Sequence, residues 1–150
     1  MTKIILALLI SFPVAQFNYS GEINPHVMTR TSNNTQINLP YRIVSLNLGM
    51  TMGKVDFKMA TALEHRNSPS ESAFDIREAY FAYYPNWGEV KIGKQIHAWG
   101  AADGNNPTDN INAYDYYYLF DGGAVKKVGS FSFSAKVYYK SFQLEGIFTP

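Results

Sequence analysis

From Gln16 to the end of the chain, apolar and polar residues alternate over long stretches, a period of two that places the two classes on opposite faces of extended strands. The stretch from Lys54 to Arg66 is the clearest. Val55, Phe57, Met59 and Leu63 share one face with Thr61 and His65, and every Lys, Arg, Asp and Glu falls on the other. The preceding segment repeats the scheme, with Val44, Leu46, Leu48, Met50 and Met52 opposed to Ser45, Asn47, Gly49 and Thr51. So does the stretch from Glu89 to Ala98, where Val90, Ile92, Ile96 and Ala98 oppose Glu89, Lys91, Gln95 and His97. Phe131, Phe133, Ala135, Val137 and Tyr139 oppose Ser130, Ser132, Ser134, Lys136 and Lys140, and a turn near Ser141 leads to Phe142, Leu144 and Phe148. A first strand near Phe17 to Arg30 and a fourth near Phe74 to Tyr84 bring the expected total to about seven. Charges on the consecutive Arg77 and Glu78 leave the faces of the fourth strand unassigned.

The links between these strands alternate in length. Ser32 to Pro40 and Asn67 to Ala73 read as polar loops, and a long excursion runs from about Gly100 to Gly129. Gly53, Pro85-Asn86-Trp87-Gly88 and Lys140-Ser141 read as tight turns. Brief turns at one end and longer loops at the other, joined by strands of about ten residues, suit an outer-membrane barrel. The sequence therefore predicts an all-β, antiparallel up-and-down transmembrane β-barrel, incomplete, with about seven strands of a larger barrel. A lipocalin-like exported barrel is the soluble alternative, with apolar residues inside and charges outside. Tyr83, Tyr84 and Trp87 at one end, and Trp99 with Tyr114, Tyr116, Tyr117 and Tyr118 towards the other, are placed as two aromatic girdles. Lys94 fits badly, because it falls on the apolar face unless it snorkels or Gly93 marks a bulge.

Composition narrows the compartment. Lys3 followed by the run from Ile4 to Ile10, ending at Pro13-Val14-Ala15, reads as a signal peptide over residues 1–15, with residues 16–150 as the exported barrel segment. No later apolar run approaches the ~20 residues of a membrane helix. The chain has no cysteine, which excludes disulfides and thiolate metal sites. Its net charge of +1 falls to about zero without Lys3 and offers no basic face for nucleic acid.

One segment has a signature. Gly93-Lys94-Gln95-Ile96-His97-Ala98-Trp99-Gly100 is followed by Asp103 and then Asn106-Pro107-Thr108-Asp109, and Arg77-Glu78-Ala79-Tyr80 stands on the strand before it. In these residues the sequence resembles a family of porin-like Gram-negative outer-membrane barrels. That family's strand ends in G-[KR]-Q-x-x-x-W-G, then an Asp, then N-P-T-D, with R-E-A-Y opening the neighbouring strand. The resemblance covers Asp75 to about Tyr117. It implies a complete barrel of many more strands, a loop at about 100–129 that is extracellular or folded inward, and passive passage of small polar solutes through the outer membrane among its lipid and lipopolysaccharide. The odd strand count, with nothing to close the barrel, marks this chain as its N-terminal part. A homo-oligomer is compatible with it.

The expected pore-lining residues are Glu22, Arg30, Asp56, Lys58, Glu64, Arg66, Glu89, Lys91, Gln95, His97, Lys136 and Lys140, with Lys54 and Glu145 as further wall charges. Positive and negative charges are nearly balanced among them, so no sharp ion preference is expected. The loop signature consists of Trp99, Gly100, Asp103, Pro107, Thr108 and Asp109. Its oxygen-rich side chains suit Asx turns better than a cation site, and the spacing is not that of an EF-hand. His97 has no Ser, Cys or carboxylate at a catalytic spacing, so neither an enzyme nor a cofactor or metal site is expected. The competing function is a plugged barrel with a binding or structural role.

Overall fold

The computed structural model describes residues 15–25, 28–37, 39–67, 70–97, 110–118 and 123–150. Strands β1 (Gln16–Ile23), β4 (Tyr41–Met52), β5 (Val55–Asn67), β6 (Ser70–Tyr83), β7 (Gly88–Gln95), β10 (Ser130–Tyr139) and β11 (Phe142–Phe148) form one seven-stranded sheet in that order. Every neighbouring pair in it is antiparallel. Two small ribbons lie in the connections: β2 (Met28–Thr29) with β3 (Gln36–Ile37), and β8 (Ala113–Tyr114) with β9 (Lys127–Val128). Short 3-10 turns at Tyr116–Tyr118 and Gly123–Lys126 complete the described residues, which contain no α-helix. Among them no pairing joins β1 to β11, so the sheet is open.

The turns at one end are as tight as the sequence suggests. Met52 pairs with Val55 across Gly53 and Lys54, and Gly53 has φ 62°, the left-handed value that the first position of a type II′ hairpin demands. Tyr139 pairs with Phe142 across Lys140 and Ser141, where Lys140 itself takes φ 53°. Between β6 and β7 the turn is tied down by Gly88 N–H on Pro85 O (3.2 Å) and Tyr84 N–H on Lys54 O (2.9 Å).

At the other end two sequence expectations change. The first strand stops at Ile23, and Arg30 lies in the β2–β3 turn, its N–H bonded to Thr35 O at 2.8 Å. Of the polar residues expected as a loop, Asn67 and those from Ser70 to Ala73 are strand. Asn67 pairs with Ser70, and β5 and β6 run on as a long hairpin because alternation persists through Glu71, Ala73 and Asp75.

Two irregularities set the faces. Between β4 and β5 the register steps from Arg42↔Glu64 to Val44↔Leu63, which leaves Ile43 as an extra residue. Between β5 and β6 it steps from Ala60↔Glu78 to Thr61↔Ile76, which leaves Arg77 as the extra residue. A bulge shifts the period-two phase by one. Asp75 and Arg77 therefore share a face with Glu78, Tyr80 and Ala82, and strict alternation could not have shown this.

The two faces differ in kind. Phe74, Ile92 and Phe131 are 66%, 58% and 70% exposed, whereas Gln95, Ser132 and Ser134 are 3%, 6% and 8% exposed on the opposite face. Phe17, Tyr19, Leu46, Met50, Leu63, Phe81, Phe133, Val137, Leu144 and Phe148 extend the exposed apolar face across all the strands but β7, which contributes Ile92. Small side chains floor the polar face, Ala62 and Ala82 being almost wholly buried. The sheet thus covers its polar side and leaves its apolar side open.

Candidate functional site

The polar face is the candidate site, and the described parts of the connection between β7 and β10, residues 110–118 and 123–128, bond to it. Rows of paired residues cross the face: Asn18, Gly49, Lys58, Tyr80, Gly93 and Ser132 in one, and Thr51, Asp56, Ala82, Lys91 and Ser134 in another. A hollow of about 390 Å³ lies along it, bordered by Asn18, Asn47, Asp56, Lys58, Tyr80 and Tyr84. Its lining comes from β1, β4, β5 and β6.

Its charges are mostly compensated in place. Lys58 Nζ lies 3.5 Å from Glu78, Lys136 lies 3.4 Å from Glu145, and Lys91 pairs with Glu89. Lys58 and Lys91 also stand 5.8 and 5.7 Å from the centre of the Tyr80 ring, from the two strands flanking β6. Tyr84, in the turn after β6, has its phenol pushed up by burial first and by the carboxylates of Glu89 and Asp56 next.

Near the long-loop end the face is buried and densely bonded. Gln95 Nε2 donates to Ser132 O (3.1 Å) and lies 3.2 Å from Ser132 Oγ. His97 Nε2 lies 2.8 Å from the same hydroxyl, and its N–H donates to Asn112 Oδ1 at 2.9 Å. Asn112 Nδ2 returns a bond to His97 O at 2.5 Å, and Glu78 accepts the Ile96 N–H at 3.1 Å. His97 thus ties the end of β7 to Ser132 of β10 and to Asn112 of the returning chain.

Further along, two arginines grip that returning chain. Arg42 forms a buried pair with Glu64 (3.1 Å), donates from Nη1 to Val125 O (2.8 Å) and lies 3.8 Å from the centre of the Tyr118 ring. Arg77 Nη2 is 2.8, 3.0 and 3.2 Å from the carbonyl oxygens of Ala124, Val125 and Lys127. Ala124 and Val125 lie in the 3-10 turn and Lys127 begins β9, so the guanidinium caps the end of that turn where it passes into the ribbon. Tyr118 is buried here, and its phenol is held well above the usual range by that burial and then by Glu64, with Arg42 opposing.

Of the sequence-derived lining residues, Glu22, Asp56, Lys58, Glu64, Glu89, Lys91, Gln95 and Lys136 sit on the polar face by register, with His97 just beyond β7. Arg66 pairs with Glu71 at the strand end. Arg30 and Lys140 belong to connections rather than to the wall, and Lys54 lies in a turn with its Nζ 2.5 Å from Asn86 Oδ1. Trp99, Gly100, Asp103, Pro107, Thr108 and Asp109 lie outside the described residues, as does the 1–14 part of the leader. The second aromatic girdle does not form as expected: Tyr118 turns under Arg42 and Tyr114 towards Lys126 Nζ at 5.7 Å, because the chain carrying them folds over the polar side. Lys94 is accommodated without a register shift. Pairing of β6 with β7 ends at Ala79↔Lys94, and the ammonium takes the freed Ile76 O at 2.5 Å, with Asp75 at 3.7 Å.

Arg42, Arg77 and Glu78 were absent from the sequence-derived set. Arg77 and Glu78 stand out in the sequence as consecutive charges and in the Arg77-Glu78-Ala79-Tyr80 motif, whereas Arg42 has no such signal. No family model, curated protein or solved structure matches the chain.

Proposed function

We propose that this sheet forms part of the wall of a porin-like outer-membrane channel, through which small polar solutes diffuse passively under selection by size and wall charge. The observation that carries the reading is the inverted polarity of the sheet: a continuous apolar face is exposed while the charged and amide residues line the covered side. Large contiguous apolar surface on a protein in water is uncommon and needs a cover. A bilayer is the cover that also explains the strand length and the wet, charge-compensated interior. A lipocalin-like barrel has the reverse arrangement, with its apolar side chains packed in the lumen.

Lipid does not tolerate unpaired strand edges, so this reading requires further strands to complete the wall between β11 and β1. Seven strands that alternate in direction leave β1 and β11 running the same way. An all-antiparallel closure therefore needs an odd number of added strands. Two such sheets joined edge to edge about the barrel axis would instead carry parallel seams.

A second reading, a plugged barrel with a binding role, draws on the segment held across the polar face by Arg42 and Arg77. Planar-bilayer recordings on the full-length protein separate the two. Discrete open-channel steps are expected, and a folded, inserted protein that gives none would sink the channel reading in favour of the plug.

A further inference from the structure

We infer that Arg42 and Arg77 are positioning residues that fix the bore of this channel, by latching the stretch from Ala124 to Lys127 against the wall through its backbone. The inference rests on the channel reading above and adds the element that sets its size limit. The latch is built from features with no other evident use. Each arginine stands beside or at a bulge, Ile43 being the extra residue next to Arg42 and Arg77 being itself the extra residue in β6. Bulges re-aim side chains out of the regular pleat. Here they bring two guanidiniums from strands that are not neighbours, β4 and β6, onto one short stretch of carbonyls, Ala124, Val125 and Lys127.

The acceptors are main-chain oxygens, so the grip depends on the path of the segment and not on its side chains. Arg42 is held in turn by the buried Glu64 carboxylate and faces the Tyr118 ring, which fixes one end of the segment; the Asn112–His97 pair of hydrogen bonds fixes it again near β7. Asp115 N–H bonds to Lys126 O and Tyr118 N–H to Asp115 O, so the stretches 112–118 and 123–128 are bonded to one another. Arg77 reaches all three carbonyls through Nη2, whose two N–H donors are shared among them, so a lysine ammonium at this position would replace the grip only in part.

The test uses the full-length protein, folded and reconstituted, with Arg77→Ala and Arg77→Lys. Arg42 is the poorer first target, since its loss strands the buried Glu64. Two readouts are taken: single-channel conductance with permeation of neutral polymers of graded size, and hydrogen exchange at the Asp115 and Tyr118 amides. Arg77→Ala is expected to raise conductance about twofold or more, admit larger polymers and speed exchange at both amides at least tenfold, with Arg77→Lys in between. Unchanged exchange in Arg77→Ala overturns the latch, and faster exchange with unchanged conductance overturns its role in setting the bore. Should the wild type fail to conduct while Arg77→Ala conducts, the latch stands as a plug and the open-channel reading fails.

Discussion

Tyr118 shows how far single side chains here depend on burial and on neighbouring charge. Its phenol is raised above the ordinary value of 10.0 by desolvation and by Glu64. A group whose folded pKa is raised contributes stability that is whole below its unfolded pKa and is lost as pH climbs through the folded one. Unfolding midpoints should therefore fall as pH rises above about 10, and Tyr118→Phe should fall less steeply; parallel curves for the two proteins would contradict the assignment. Gly93 is the second residue whose identity the fold dictates. Its φ is 135°, and a Cβ there would run into Ala79 O and come within 2.7 Å of Tyr80 Cα, so Gly93→Ala should cost about 1–3 kcal/mol in denaturant unfolding. A wild-type midpoint for that variant would show that β6 and β7 are less tightly apposed.

The strands themselves were legible in the sequence because an exposed apolar face and a covered polar face force a strict period of two along β4, β5, β7 and β10. The failures have local causes. β6 could not be assigned because Arg77 shifts its phase, and Arg42 could not be placed because Ile43 does the same in β4. The polar residues from Ser70 to Ala73 read as loop by composition, although pairing with β5 carries them as strand. That the β7–β10 connection lies on the polar face follows from contacts far apart in sequence, such as Arg42 with Val125, which no local pattern encodes. The strand faces also yield a prediction at this scale. Ile92→Lys places a charge in the exposed row with Phe81 and Phe133 and should destabilise the bilayer-inserted protein by up to about 2–4 kcal/mol, whereas Ser132→Thr on the covered face should cost under about 1.5 kcal/mol. Titration of refolding in lipid vesicles measures both. An Ile92→Lys protein as stable as the wild type would place that face in water.

At the scale of the whole molecule the described sheet exposes its apolar face and covers its charge-compensated polar face, across which a segment is latched. The channel, the plug and the bore-setting arginines all presuppose that the exterior meets lipid. The absence of cysteine makes that testable by placing single spin labels without background changes to the chain. Labels are set one at a time along Phe57 to Leu63 and Phe131 to Val137 in the full-length protein reconstituted in vesicles, and collision with oxygen is compared with collision with a water-soluble nickel chelate. Oxygen collisions should peak at Phe57, Met59, Leu63, Phe131, Phe133 and Val137, and chelate collisions at Lys58, Ala60, Ser132, Ser134 and Lys136, with a period of two. Chelate access at Phe131 and Phe133 equal to that at Ser132 and Ser134 would contradict a lipid-facing wall.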